Sequence, residues 1–511
     1  MRYGFAIDQN RCIGCHACTV ACKEEHNVPV GVFRTWVKYI EKGKFPDVSR
    51  HFAVLRCNHC DDAPCVEICP TSALFRRDDG IVDFDNARCI GCKSCMQACP
   101  YDALYIDPNT NTAAKCNYCA HRVEAGLEPA CVIVCPTQAI ISGDLDNPSS
   151  RIGRAISNQK VVVRKPHKGT QPKLFYIGVD GDLLNPTMLE PQADYLWSDK
   201  QPDEDRYGGE NMRSKARSIP GPGREVYDVA HRQPWGKMAA AYLWTKSIGA
   251  GALIVAFIMM IILDQREAAL FGIISPVIAI LFTAVTSVIL ILDLKRPDRF
   301  YYLLTKPNFS SWLVWGCYIL MLYGVLSLIW LAFGALGHGV SAILIEISAL
   351  FGVFTACYSA FLFAQAKGRE LWQSSVFMWH LLVQAIAAGA AALMIPAIGI
   401  AAPFHILNLL AWILMAALLI GAAMIVGELS LPAADENVER AAALIATGPM
   451  RWEFWGIVIV IGVAGPVALL ALGLSGSAPP GVYLAAAILA LAGLWSFENI
   501  WIDAGQAVPL S

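Results

Sequence analysis

At 511 residues with a formal net charge of -2, the chain has room for two or three domains and lacks the basic excess that would hold a nucleic acid. Hydrophobic residues make up 55% of it, more than soluble chains of this size carry, and the excess lies almost wholly after about residue 240. A segment of soluble composition therefore precedes one made for a lipid bilayer.

Sixteen of the 18 cysteines fall between Cys12 and Cys135, in four groups of four. The first is Cys12, Cys15, Cys18 and Cys22, and the third, Cys89, Cys92, Cys95 and Cys99, repeats its spacing and adds Pro100. The second, Cys57, Cys60, Cys65 and Cys69, and the fourth, Cys116, Cys119, Cys131 and Cys135, keep the same ends around a longer middle. Three thiolates on one tight loop grip three corners of a cubane, whereas the fourth corner lies too far round for that loop, so the last cysteine of each run ligates elsewhere. Zinc knuckles need only paired Cys-x2-Cys units, and crowded loop cysteines suit disulfides poorly. The N-terminus, Met1-Arg2-Tyr3-Gly4-Phe5, shows no apolar export segment and no twin arginine, which predicts reduced thiols and a cytoplasmic location. The spacing predicts an α+β ferredoxin-like iron–sulfur domain over residues 1–143 with four 4Fe–4S clusters.

Residues 144–238, rich in Pro, Gly and charge, read as an extended connector or docking segment. Short strands are expected at Lys160-Val161-Val162-Val163 and Leu174-Phe175-Tyr176-Ile177, and a solvated loop at Gln201-Pro202-Asp203-Glu204-Asp205.

From residue 239 to 511 an all-α polytopic membrane domain is expected, with eight apolar stretches near 240–263, 268–292, 312–334, 340–364, 375–396, 402–427, 455–474 and 481–502. Loops on the side of the cysteine-rich domain carry Lys295, Arg296, Arg299, Lys306, Lys367, Arg369, Arg440 and Arg451, and the opposite loops only Arg266. Retention of basic residues on the inner side places that domain and the C-terminus in the cytoplasm of a multi-pass protein of the bacterial cytoplasmic membrane. Trp312, Trp372 and Trp501 near span ends fit an interfacial aromatic belt, and Cys317 and Cys357 read as small apolar fillers.

The four cysteine groups resemble those of the four-cluster ferredoxin subunits of molybdenum and tungsten bis-pyranopterin oxidoreductases, over roughly residues 1–190. The resemblance implies one cluster on Cys12, Cys15, Cys18 and Cys135, and a second on Cys116, Cys119, Cys131 and Cys22. It puts a third on Cys89, Cys92, Cys95 and Cys69, and a fourth on Cys57, Cys60, Cys65 and Cys99. Four stretches of the membrane half, Tyr242-Leu243-Trp244-Thr245-Lys246, Asp293-Leu294-Lys295-Arg296-Pro297, Pro307-Asn308-Phe309-Ser310 and the final Ala504 to Ser511, resemble the NrfD/PsrC family of quinone-reactive subunits. Together the resemblances imply a separate molybdenum or tungsten catalytic subunit, acting on a sulfur oxyanion such as sulfite or on formate, and a quinone, menaquinone or ubiquinone.

Ionisable side chains inside a span mark function by default, and Lys246, Tyr358 and His380 lie by residue count at one depth near the cytoplasmic end. They supply the hydrogen-bond donors and proton carriers that quinone chemistry needs, and the family's pocket includes a tyrosine matching Tyr358. Asp293, Glu428 and Glu498 end their own spans at that level, the first two assigned to the vicinity of the quinone. The alternative is a redox-driven proton-translocating module, with Glu346 and His405 near the opposite face as its route.

Overall fold

The computed structural model describes residues 1–44, 46–179, 181–190, 223–263, 269–337, 339–430, 435–476 and 479–511. Arg266 and the Gln201–Asp205 loop lie outside the described residues.

The N-terminal half is organised by two four-stranded sheets. In the first, Tyr3–Asp8 lies between Ile140–Asp144 and Leu174–Ile177, with Val161–Val162 at the far edge; in the second, Thr35–Lys44 and Asp47–Arg56 form a long hairpin that Gly223–Tyr227 extends. The strands expected at Val161–Val162 and Leu174–Ile177 are present. They are integral to the first domain rather than wrapped around it: Leu174–Ile177 runs parallel to Tyr3–Asp8, beside which its backbone hydrogen bonds are met. The break drawn between residues 143 and 144 thus falls inside a strand, Ile140–Asp144.

Among the described residues eight helices are long and apolar enough to cross a bilayer: Lys237–Leu263, Leu270–Leu292, Trp312–Ala335, Ala342–Ala364, Phe377–Gly399, Phe404–Ser430, Glu453–Leu474 and Gly481–Ala507, called spans 1 to 8. Small residues let their backbones close up. A Cβ on Gly251 would strike the Ala385 carbonyl, and Gly462 and Gly493 leave the same room for each other, so span 1 packs directly on span 5 and span 7 on span 8.

The C-terminal tail joins the two halves. Gln506, wholly buried, accepts at Oε1 from Gln97 Nε2 (2.6 Å) and from the Trp235 backbone (3.0 Å), and donates to the Trp235 carbonyl (2.9 Å). Arg369 donates to the carbonyls of Gln506 and Val508 and to Gln97. Farther along, Arg164 donates to Leu510 and Lys38 to Ser511. Trp372 and Trp501 belong to this buried seam, each about 1% exposed, with the Trp372 indole N–H donating to the Trp501 carbonyl. They are not the interfacial belt expected of them, because the end of the chain at Gly505 lies against Trp372 and the Trp501 ring packs inside the bundle on Phe377 and Phe497. Trp312 is half-buried and stacked on Phe361 at 4.4 Å.

His231 sits in the same seam, its Nδ1 2.9 Å from Asp102 and its Nε2 3.2 Å from the Ser511 hydroxyl. Burial opposes its charged form, but Asp102 and Asp228 prevail and raise it to about 9. A histidine raised above its unfolded value of about 6.5 contributes stability that is complete below that value and is lost as pH rises through about 9, here on the order of 3 kcal/mol. The melting temperature of the full chain should therefore fall between pH 7 and pH 10, and His231→Gln should flatten that slope; equal slopes would dismiss the assignment.

Candidate functional site: the cysteine groups and the buried membrane cluster

The four cysteine groups share one backbone device. In each, the residue before the second cysteine has positive φ: Gly14 (69°), His59 (45°), Gly91 (69°) and Tyr118 (63°). This left-handed step curls the loop around a common centre and aims its own backbone N–H at the first sulfur, as Gly91 does on Cys89 and His59 on Cys57; Ala113 and Ala139 add N–H groups to Cys89 and Cys135 from elsewhere. At Gly91 the space is needed as well, since a Cβ there would lie 2.6 Å from that of Lys295.

The thiols gather into sets drawn from different groups. Cys22 stands within electrostatic reach of Cys116, Cys119 and Cys131, and Cys12 of Cys15 and Cys135. Cys65 faces Cys57, Cys60 and Cys99, while Cys92 and Cys95 face Cys89 and Cys69. Neighbouring sets approach each other at Cys18 and Cys131, at Cys116 and Cys57, and at Cys95 and Cys65. Cys69, Cys89, Cys92 and Cys95 border a cavity of about 390 Å³.

Burial pushes Cys18, Cys99 and Cys116 up to about 11, and Cys92 and Cys119 to about 12. Sulfurs so placed become thiolates only beside positive charge, which iron supplies. Arg56 is also fully buried, with Nη1 3.1 Å from Cys131 Sγ and no hydrogen-bond partner for Nε or Nη2 among the described residues. A lone buried guanidinium is costly, and an anionic group among those cysteines resolves it. All-thiolate donor sets, cavity and orphaned cation fit iron–sulfur clusters.

The third group, with the end of the second, is seated on the membrane domain. Lys295 and Arg296 donate backbone N–H to the carbonyls of Gly91 and Ile90, and Arg299 Nη1 reaches the carbonyls of Asn86 (2.6 Å) and Cys89 (3.0 Å). Asn308 donates to the Cys69 carbonyl (2.7 Å), the Trp235 indole to that of Cys92 (3.3 Å), and Lys93 pairs with Asp293 at 2.8 Å. Asp293 is thus held at the domain junction, where its spacing in the sequence could not place it. At the other end Cys15 is exposed and Cys12 and Cys135 half-buried, among exposed Ile13, Val20, Ile133 and Val134.

Within the bundle Lys246, 1% exposed, donates to the Ala356 carbonyl and the Ser359 hydroxyl, both at 2.8 Å, and its ammonium lies 5.1 Å from the Tyr358 ring. Tyr358 leans on span 3 at Gly316, where a Cβ would collide with its ring. Glu498 of span 8, equally buried, faces Lys246 and has Gln384 beside it. His380 stands one step away, stacked on Phe497 at 4.9 Å. It borders, with Gln384, a crevice of about 420 Å³ between spans 5, 6, 7 and 8. His380 Nδ1, both polar atoms of Gln384 and Glu498 Oε1 are buried without partners among the described residues. Spacing alone missed Gln384 and Ser359; a polar side chain facing the bundle interior one turn from His380 and one residue from Tyr358 was their only signal. Glu428 is half-buried with Oε2 unpartnered among the described residues. Glu346 and His405 are exposed near the starts of spans 4 and 6. Cys317 is half-buried, and Cys357 is buried with its thiol 3.8 Å from the Met378 carbonyl.

Comparison with known proteins matches residues 225–509 to the family model described as polysulphide reductase, NrfD, and residues 11–74 and 48–145 to models described as 4Fe-4S dicluster domains. The N-terminal part is 46% identical over 202 residues to a tetrathionate reductase subunit of Salmonella typhimurium, covering 39% of this chain and 80% of the relative. It is 42% identical over 179 residues to a polysulfide reductase chain of Wolinella succinogenes, covering 34% of this chain and 94% of the relative. With Protein NrfC of Escherichia coli it shares 45% over 180 residues, 35% of this chain and 81% of the relative. The chain therefore belongs to the polysulphide reductase NrfD family, as a multi-pass membrane subunit to which an iron–sulfur electron-transfer subunit is fused at its N-terminal side.

Proposed function

We propose that this chain carries electrons through four 4Fe–4S clusters between a molybdenum or tungsten bis-pyranopterin catalytic subunit and a membrane quinone, menaquinone or ubiquinone. The observation that carries the reading is the seating of the third cysteine group, with Cys69 of the second, on the loop between spans 2 and 3 and on Trp235 ahead of span 1, which brings Cys69, Cys89, Cys92 and Cys95 to the membrane domain. The order of the sets supports a single line from the exposed Cys12, Cys15, Cys18 and Cys135, through Cys22, Cys116, Cys119 and Cys131 and then Cys57, Cys60, Cys65 and Cys99, to that junction. When bound, the clusters take up and release one electron each; the chain's part is to hold them in sequence and to cover all but the outermost.

The exposed apolar residues around Cys15 favour a protein partner there, and two of the relatives are named as parts of reductases. Lys295, Arg296 and Arg299 grip the cysteine domain and also carry much of the positive charge that argues for a cytoplasmic side.

For the quinone, Lys246, Tyr358 and His380 remain the proposed residues, joined by Glu498 and Gln384. Gln384 and His380 line the crevice and offer unpaired donor and acceptor atoms among the described residues, and Lys246 with Glu498 can deliver or take protons. Proton translocation through Glu346 and His405 finds no support, since both are exposed on the outside of the bundle. Purified protein should contain about 16 iron atoms, four for each of the four proposed clusters. Addition of a quinol should change its EPR signals. Iron bound without any quinol response would leave the wire and remove the quinone.

A further inference from the structure

We infer that Arg56 sets the reduction potentials of the two outer clusters, those assigned to Cys12, Cys15, Cys18 and Cys135 and to Cys22, Cys116, Cys119 and Cys131; this rests on the four-cluster reading above. Arg56 ends the strand Asp47–Arg56, one residue before Cys57, where pairing with Thr35 turns its side chain into the core. Its guanidinium lies 4.7 Å from the Phe5 ring centroid and 3.1 Å from Cys131 Sγ, within electrostatic reach of Cys116 and Cys18. These cysteines belong to two different sets, so one cation stands between both.

Nothing else among the described residues explains the charge. The side chain is 0% exposed, no carboxylate among those residues pairs with it, and two of its nitrogens have no hydrogen-bond partner there. A group kept charged at such cost is stabilised by negative charge nearby, and that charge grows by one when a cluster accepts an electron. The fixed cation therefore favours the reduced state of each neighbouring cluster and raises its potential, with no proton moved. Lys115, another buried cation near the cysteines, differs in being occupied by the carbonyls of Val82 and Cys116.

The test is a redox titration, followed by EPR, of the purified full chain carrying Arg56→Met, which keeps bulk and loses charge, and Arg56→Lys, which keeps charge. In Arg56→Met two of the four cluster transitions should move to lower potential, the ratio of reduced to oxidised cluster at fixed potential falling about tenfold, or about 59 mV for one electron. The other two should stay in place, and Arg56→Lys should titrate like the wild type. Unmoved transitions in Arg56→Met with full iron content would overturn the inference, as would an equal shift of all four. If Arg56→Met assembles incompletely, Arg56→Lys against Arg56→Gln decides, equal potentials again counting against it. Absence of iron from the wild type would instead refute the cluster reading itself.

Discussion

Gln506→Leu should loosen the seam between the cysteine domain and the membrane bundle while leaving both folded. The substitution puts an apolar residue of similar size at a wholly buried position, but it orphans the Gln97 amide, the Trp235 backbone N–H and the Trp235 carbonyl together. Each unsatisfied buried group costs about 1–3 kcal/mol, so the seam loses on the order of 5 kcal/mol. The sets of cysteines do not contact Gln506, and iron content should be unchanged. Reduction of the clusters by quinol should slow at least tenfold, read by stopped-flow absorbance. The seam would be shown irrelevant to the transfer if wild-type rates persisted in a protein whose melting temperature had fallen.

Lys246→Met should abolish quinone turnover, by about 100-fold or more, the scale of losing one proton-carrying group. Removing the ammonium also takes away the positive charge that faces the buried Glu498, which destabilises the fold. The double variant Lys246→Met with Glu498→Gln removes both charges and should recover most of that stability without recovering turnover. This separation distinguishes a working pair from a structural one: recovery of both would reduce Lys246 and Glu498 to packing, and recovery of neither would place the loss elsewhere. Tyr358→Phe, which keeps the ring over the Lys246 ammonium, isolates the hydroxyl in the same assay.

The sequence by itself determined the donors and the spans. Cysteine runs at fixed short spacing encode a loop around a metal centre whatever surrounds them, and about 20 apolar residues form a spanning helix because every backbone group must be paired inside lipid. Both signals are local, so the four cysteine groups and the eight spans were legible in the order of residues alone. Strands Val161–Val162 and Leu174–Ile177 were legible too, but their membership of the first sheet was not, because it depends on the pairing of Leu174–Ile177 with the distant Tyr3–Asp8. Only the tertiary structure decided which cysteine group meets the membrane domain, since Asp293 finds Lys93 across 200 positions and Gln506 finds Gln97 across 409. The same holds for Trp372 and Trp501, whose place near span ends suggested a lipid interface but which are buried, Trp372 against Gly505 and Trp501 on Phe377 and Phe497. Glu498, Gln384 and Ser359 gather around Lys246 for a related reason: the direction a side chain takes from its helix is set by how helices rotate against one another, and that rotation is fixed by close contacts such as Gly251 on span 5 and Gly316 beneath Tyr358.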